Sequence, residues 1–181
     1  FLREPWSPLT CFARHFWHGT PFGAAYYRPV VVQLRALNGR ILGWDPAGFH
    51  LVNALRHAAN AALLVVLARR LGATETRAVV AGLLFALHPV AAWPVGSIVA
   101  RVDLLPALFV LLAWIQWRAA GAAGEESRGR PIHATGVGFF FLLALLCKES
   151  ASAFLVVPLL ALRRPLNERG WRPDRSTWVA L

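Results

Sequence analysis

Seven ionisable residues, His50, His57, His88, Arg101, Asp103, Lys148 and Glu149, interrupt the apolar stretches of this chain, and all fall toward one end of the helices those stretches would form. Charge inside or at the edge of a membrane is costly and usually marks a site or a pathway. The set therefore reads as the lining of a membrane-embedded active site. His50, Asn53, His57 and Asn60 recur at i, i+3, i+7 and i+10, which places them on one stripe of a helix with 3.6 residues per turn. One turn further on the stripe reaches Leu64 and becomes apolar. Polar groups thus line only half of the helix, as they would beside a water-accessible cavity closed at its far end. The other use of such residues is hydrogen bonding to neighbouring helices.

His50 and His57 stand seven positions apart with no Glu between them. Helical zinc ligands are spaced i, i+4, so no structural metal site is expected. A loosely held divalent cation beside a phosphate remains compatible with the chemistry. Arg101 and Lys148 head different turns, each with a carboxylate close by in sequence, Asp103 and Glu149. Cations at that depth can hold an anionic group, Arg as a planar fork and Lys as a point charge; alternatively each neutralises its neighbour and steadies its turn.

The elements that must position these residues are apolar helices. Hydrophobic residues make up 57% of the 181-residue chain, charged residues only 15%, and eight Trp lie mostly near the ends of the apolar stretches, where the amphipathic indole prefers to sit. Mean hydropathy is +0.49. The fold class expected is all-α, a polytopic transmembrane bundle of about five spans and the start of a sixth: Phe49 to Ala68, Arg77 to His88, Leu104 to Trp117, Ile132 to Cys147, Ala151 to Leu162, and a segment opening at Trp178. Pro89 and Pro94 rule out one straight helix beyond His88, so a short interfacial helix and a turn at Arg101 to Asp103 are expected there. Residues 1–48 read as an external loop region, cut at its start because Phe1 is no native start and the chain has no Met, and residues 49–181 as the bundle, cut at its end.

The formal net charge is +10, but the basic residues lie scattered through loops and termini. Without a continuous basic face they argue against nucleic acid and for a topology signal. One set of alternate short loops holds eleven Arg: Arg69, Arg70, Arg77, Arg118, Arg128, Arg130, Arg163, Arg164, Arg169, Arg172 and Arg175. The short turns of the other set hold only Arg101 and Lys148. The positive-inside rule makes the first set cytoplasmic. The polar cluster then faces the periplasm of a bacterial inner membrane, or the lumen of the endoplasmic reticulum in a eukaryote. Cys11 and Cys147 are too few for a disulfide framework.

Several runs, in order and spacing, carry a family likeness. They are Tyr26-Tyr27-Arg28-Pro29-Val30; Gly48-Phe49-His50-Leu51-Val52-Asn53 with His57 and Asn60; Leu84-Phe85-Ala86-Leu87-His88-Pro89-Val90; Arg101-Val102-Asp103-Leu104-Leu105; and Lys148-Glu149. Together they resemble the membrane region of the O-mannosyltransferase-like proteins that carry tetratricopeptide repeats, members of the GT-C class of glycosyltransferases. The resemblance covers about Tyr26 to Leu162. It implies transfer of a sugar, mannose among the candidates, from a polyprenyl-phosphate donor to a protein or glycan acceptor on the non-cytoplasmic side. It implies further that Arg101 and Lys148 bind the donor phosphate and that Tyr27, Arg28, His50, Asn53, His57, His88, Asp103 and Glu149 line the site. The family's acidic pair, upstream of its Tyr-Arg-Pro motif, would fall before Phe1, so the catalytic acid is expected outside this sequence. Ala91 and Trp93 stand where many relatives have His and Glu after the His-Pro-Val. No 34-residue repeat is present. The competing readings are a polytopic transporter, which would place polar groups on broken helices near the midplane, and a non-catalytic membrane scaffold.

Overall fold

The computed structural model describes Phe12 and residues 26–98, 102–123 and 129–156. Among them every regular element is helical. In chain order these are α1 (Pro29–Leu42), α2 (Pro46–Arg70), α3 (Glu75–Leu87), a 3₁₀ turn (Pro89–Ala91), the short α4 (Ala92–Gly96), α5 (Leu104–Ala122), α6 (Gly129–Cys147) and a 3₁₀ segment (Glu149–Leu155).

Local sequence explains the boundaries. Pro46 takes the first turn of α2, where its missing N–H removes nothing. At the far end of α2 the chain passes Arg69 and Arg70, and Gly72 adopts φ +94°, a left-handed conformation that only glycine enters freely. The N–H groups of Gly72 and Ala73 then close onto the carbonyls of Arg69 and Ala68, at 2.9 and 3.0 Å. Two residues later Thr74 caps α3, its Oγ1 accepting from the Arg77 N–H. This tight turn sends α3 back along α2. Gly82 lets the two helices close up, because a Cβ there would lie 2.4 Å from Cγ2 of Val65 and 3.2 Å from the Ala61 carbonyl oxygen. α3 stops at Leu87, since Pro89 supplies no N–H to continue it, and the chain bends by 48° into the 3₁₀ turn and α4.

α5 is the central helix, packed on α2 and most extensively on α6. Neighbours run antiparallel: Asn60 of α2 meets Leu104 at the start of α5, and Arg118 near the end of α5 reaches the Arg70 carbonyl. Two small clusters form the interior, one of Val31, Val102, Leu105 and Cys147, the other of Val110, Ala144 and Ala151. The remaining faces of the helices stay apolar and exposed, among them Leu55, Leu84, Leu87, Phe139 and Leu142. Faces of this kind suit hydrocarbon, where a helix has its backbone satisfied internally and needs no covering for apolar side chains.

Three helices are long and apolar enough to cross a membrane, α2, α5 and α6, and α3 with the bent segment after it makes a fourth. The five-and-a-sixth expected from sequence is not supported. Where a fifth span was expected to begin at Ala151, Glu149–Leu155 winds as a 3₁₀ segment, with the Ala151 N–H bonded to the Lys148 carbonyl and Ser152 Oγ to the Glu149 carbonyl. Such i→i+3 turns are short by nature. The rest of that expected span, and the sixth at Trp178, lie outside the described residues. The sequence reading also took residues 1–48 as loop and missed α1, which opens on Pro29 and ends before Gly43 at φ +71°.

Candidate functional site

The ends of α3 and α6, the start of α5 and the chain entering α1 gather at one end of the bundle, and their charged groups pair across it. Lys148 Nζ donates to Asp103 Oδ1. Arg28 Nη2 donates to Glu149 Oε1 at 3.0 Å, joining residues 121 positions apart. The local pairing of Lys148 with Glu149 and of Arg101 with Asp103, one reading of the sequence, gives way to these longer connections. Two consecutive residues, Lys148 and Glu149, leave α6 with extended backbone at Lys148, so their side chains separate toward different partners. Arg101 itself lies outside the described residues.

Arg28 is nearly enclosed, whereas the Glu149 side chain is 63% exposed. The guanidinium also sits over the Tyr26 ring, 4.6 Å from its centroid, a cation–π contact that helps to hold it. Glu149 is kept below the usual carboxylate pKa by the hydrogen bond from its own backbone N–H and then by Arg28 and Lys148. Tyr27 is exposed beside this pair.

The polar stripe on α2 divides. Asn53 and Asn60 are completely buried. Asn53 Nδ2 donates to the Ser97 carbonyl at 3.0 Å and to the Val95 carbonyl at 3.4 Å, groups left open where α4 ends. Asn60 Nδ2 donates to the Leu104 carbonyl at 3.0 Å. His57 Nε2 lies 3.0 Å from the Ala86 carbonyl, and its ring stacks on Phe85 with centroids 5.2 Å apart. That carbonyl would ordinarily receive the Val90 N–H, but Val90 donates to His88 Nδ1 instead. His57 thus satisfies an acceptor that the proline break set free. Three members of the stripe bind helix ends to α2, and the fourth, His50, is exposed. His88 is exposed too, and with Nδ1 accepting, its neutral ring carries the proton on Nε2.

Two arginines that sequence reasoning passed over are present here. Arg56 is the sole Lys, Arg, Asp or Glu between Asp45 and Arg69, one position before His57, and its Nη1 is buried without a hydrogen-bond partner among the described residues. It lies within electrostatic reach of the Cys147 thiol at the end of α6. Arg35, one turn beyond Val31 on α1, has a buried and unpartnered Nε, and burial lowers its pKa. A rule already applied to the histidines would have found Arg56: a lone charge inside an apolar span needs a reason. Among the described residues no group of three or more His, Cys, Asp or Glu could hold a metal ion.

Known proteins share this sequence pattern. The chain is 36% identical over 170 residues to "Protein O-mannosyl-transferase Tmtc2" of Drosophila melanogaster, a match covering 90% of the chain and 18% of the relative. It is 32% identical over 151 residues to "Protein O-mannosyl-transferase TMTC3" of Homo sapiens, and 33% identical over 148 residues to the human protein of the same description, TMTC4. The chain spans between 16 and 20% of the length of these relatives. No family model and no solved structure matches it.

Proposed function

Starting from a chain that is O-mannosyl-transferase-like over most of its length, we propose that it forms part of the membrane region of a GT-C type glycosyltransferase, which moves mannose from a polyprenyl-phosphate donor to a hydroxyl of a protein or glycan on the non-cytoplasmic face. The observation that carries the reading, beside the homology, is the gathering of Arg28, Asp103, Lys148 and Glu149, from three separate stretches of chain, at one end of an otherwise apolar bundle. A lipid-linked phosphate sugar presents its headgroup at such a boundary while its tail lies along apolar helix faces.

In the step proposed, the acceptor oxygen forms a bond to the anomeric carbon as the bond from that carbon to the phosphate oxygen breaks. The electron pair stays with the polyprenyl phosphate. The acceptor proton passes to a carboxylate, assigned to the acidic pair of the family upstream of Phe1. Cations at the boundary stabilise the charge growing on the phosphate. Lys148 and Arg101 are the residues proposed for that contact, Lys148 with Asp103 holding its ammonium in place. Tyr27, His50, His88 and Glu149 are proposed to line the opening, and His57 and Asn53 to shape it by fixing the helix ends around it.

The cluster is placed on the luminal or periplasmic side by the arginines of the opposite end, Arg69, Arg70, Arg77, Arg118 and Arg130. The test is a donor screen of the full-length protein in membranes, with radiolabelled polyprenyl-phosphate sugars and a hydroxyl-bearing acceptor. Label transfer from the mannosyl donor, abolished by removing the upstream acidic pair, is expected. Transfer from no donor, with solute flux across proteoliposomes instead, would establish the transporter reading.

A further inference from the structure

The ion pairs described above leave a remainder. Lys148 is matched by Asp103 and Arg28 by Glu149, so these four charges cancel. Arg56 and Arg35 are not matched: neither makes an ion pair with any carboxylate among the described residues, and each keeps a buried nitrogen, Nη1 and Nε respectively, without a partner. Both lie around the end of α6. Arg56 is within electrostatic reach of Cys147, and Val31, one turn before Arg35, packs on that same residue. Proteins rarely leave a guanidinium enclosed with a donor unused, because the unpaired charge is strongly destabilising. An anion supplied from outside the described chain resolves both at once.

Depth agrees with this. Arg56 is 14 positions from Arg70, about 21 Å along α2 at 1.5 Å per residue. With Arg70 at one face of an apolar layer about 30 Å thick, the backbone of Arg56 lies about 9 Å beneath the other face. An arginine side chain spans most of that distance. The guanidinium therefore reaches the level of lipid phosphates, below the already neutralised pairs.

We propose that Arg56, with Arg35 adding a second uncompensated charge from α1, binds the phosphate group of the lipid-linked donor. The inference rests on the donor class put forward under the proposed function and moves the phosphate contact from Lys148 to a residue that has no competing carboxylate. It also gives the site a direction. A polyprenyl-phosphate sugar is a phosphodiester with one negative charge; when the bond to the sugar breaks and its electron pair stays on oxygen, the product is a monoester approaching two. Two unmatched arginines favour the second state over the first, which is stabilisation of the leaving group as it departs.

The test uses the full-length protein in nanodiscs of phosphatidylcholine, with polyprenyl monophosphate and the neutral polyprenol as probes. The wild type is expected to bind the phosphate at least about ten-fold more tightly than the alcohol, as charge-assisted hydrogen bonds require. Arg56→Gln should lose most of that preference while still binding polyprenol; Arg56→Lys should keep part of it, because the charge stays and the fork is lost. Arg35→Gln should lose less. Unchanged phosphate affinity in Arg56→Gln overturns the proposal. So does a wild type that fails to distinguish phosphate from alcohol, a measurement that no folding defect in a variant can obscure. Displacement of the lipid by inorganic phosphate at comparable concentration overturns the lipid source, and resistance to it supports that source. A wild type that binds polyprenyl phosphate but transfers no sugar upholds this site and removes the glycosyltransferase reading. An active wild type whose Arg56→Gln binds normally does the reverse.

Discussion

At the end of the bundle that carries Lys148, ion pairs join residues 45 and 121 positions apart; at the end that carries Arg69, the pair Arg69–Glu75 spans six positions across a turn that backbone hydrogen bonds have already closed. Both partners of the local pair are about half exposed or more, while Arg28 and Lys148 are largely enclosed. A pair between neighbours in sequence restrains little that the turn does not restrain. Pairs between distant segments fix where three stretches of chain lie relative to one another, which is what a site assembled from them needs. The contrast separates an end built to hold a geometry from an end built to reverse direction.

Reversing a charge at each end is the severest way to break that comparison. Asp103→Lys, set against Lys148, is expected to lower transfer by the full-length protein by about one to two orders of magnitude, the scale of one charge-assisted contact. Adding Lys148→Asp should recover part of it. Glu75→Lys at the other end should change transfer less than about two-fold. Equal losses at the two ends would dissolve the distinction.

A smaller effect is expected from the buried amides. Asn60→Leu removes the donor to the Leu104 carbonyl and is expected to destabilise the bundle by about 1 kcal/mol, the usual scale for a side-chain hydrogen bond between membrane helices. His133→Leu, which removes the 2.6 Å contact with Gln116 toward the other end, should cost less, because Gln116 keeps access to water there. Unfolding of both variants by denaturing detergent in mixed micelles ranks them.

Acid sharpens the comparison further. The carboxyl of Glu149 is held below its ordinary value of 4.5 by its own backbone N–H and by Arg28. Its stabilising contribution is therefore complete above that value, and is lost as pH falls through the lowered folded value. Thermal melts of wild type and Glu149→Gln should differ at neutral pH and converge on acidification below about pH 4, the difference being small because the side chain is mostly in solvent. The smallest effect belongs to Glu75→Ala, under about 0.5 kcal/mol in the same assay; a larger value would mean that the Arg69 turn carries more of the architecture than its exposure suggests.

Sequence made the helices legible because apolar length and proline are local signals: the break after Leu87 is written in His88-Pro89, and α2 in its uninterrupted run with Pro46 at one end and Gly72 at the other. The likeness to O-mannosyl-transferases was legible for a related reason, since short motifs keep their order even where each is weak. Pairing across the bundle was not. Nothing in Lys148-Glu149 tells which of Arg28, Asp103 or each other they meet, because that depends on how the backbone leaves α6. The stripe on α2 was visible as a stripe, yet helical spacing gives a direction and not a neighbour, and the neighbours of Asn53, His57 and Asn60 proved to be carbonyls at the ends of other elements. α1 escaped notice because its apolar residues lie in a segment too short to read as a span.

The span of 121 positions between Arg28 and Glu149 also sets an order of events in time. α2 and α3 meet through contacts such as Gly82 against Ala61 and His57 against Ala86, available as soon as α3 leaves the ribosome. Arg28 and Asp103 cannot be matched until Lys148 and Glu149 have been made, and at about 5 to 20 residues per second Arg28 waits for roughly 6 to 24 seconds. During that interval the growing chain holds a hairpin with its polar groups satisfied and two charges that must stay in water or on a chaperone. The site at that end is the last part of this region to be born.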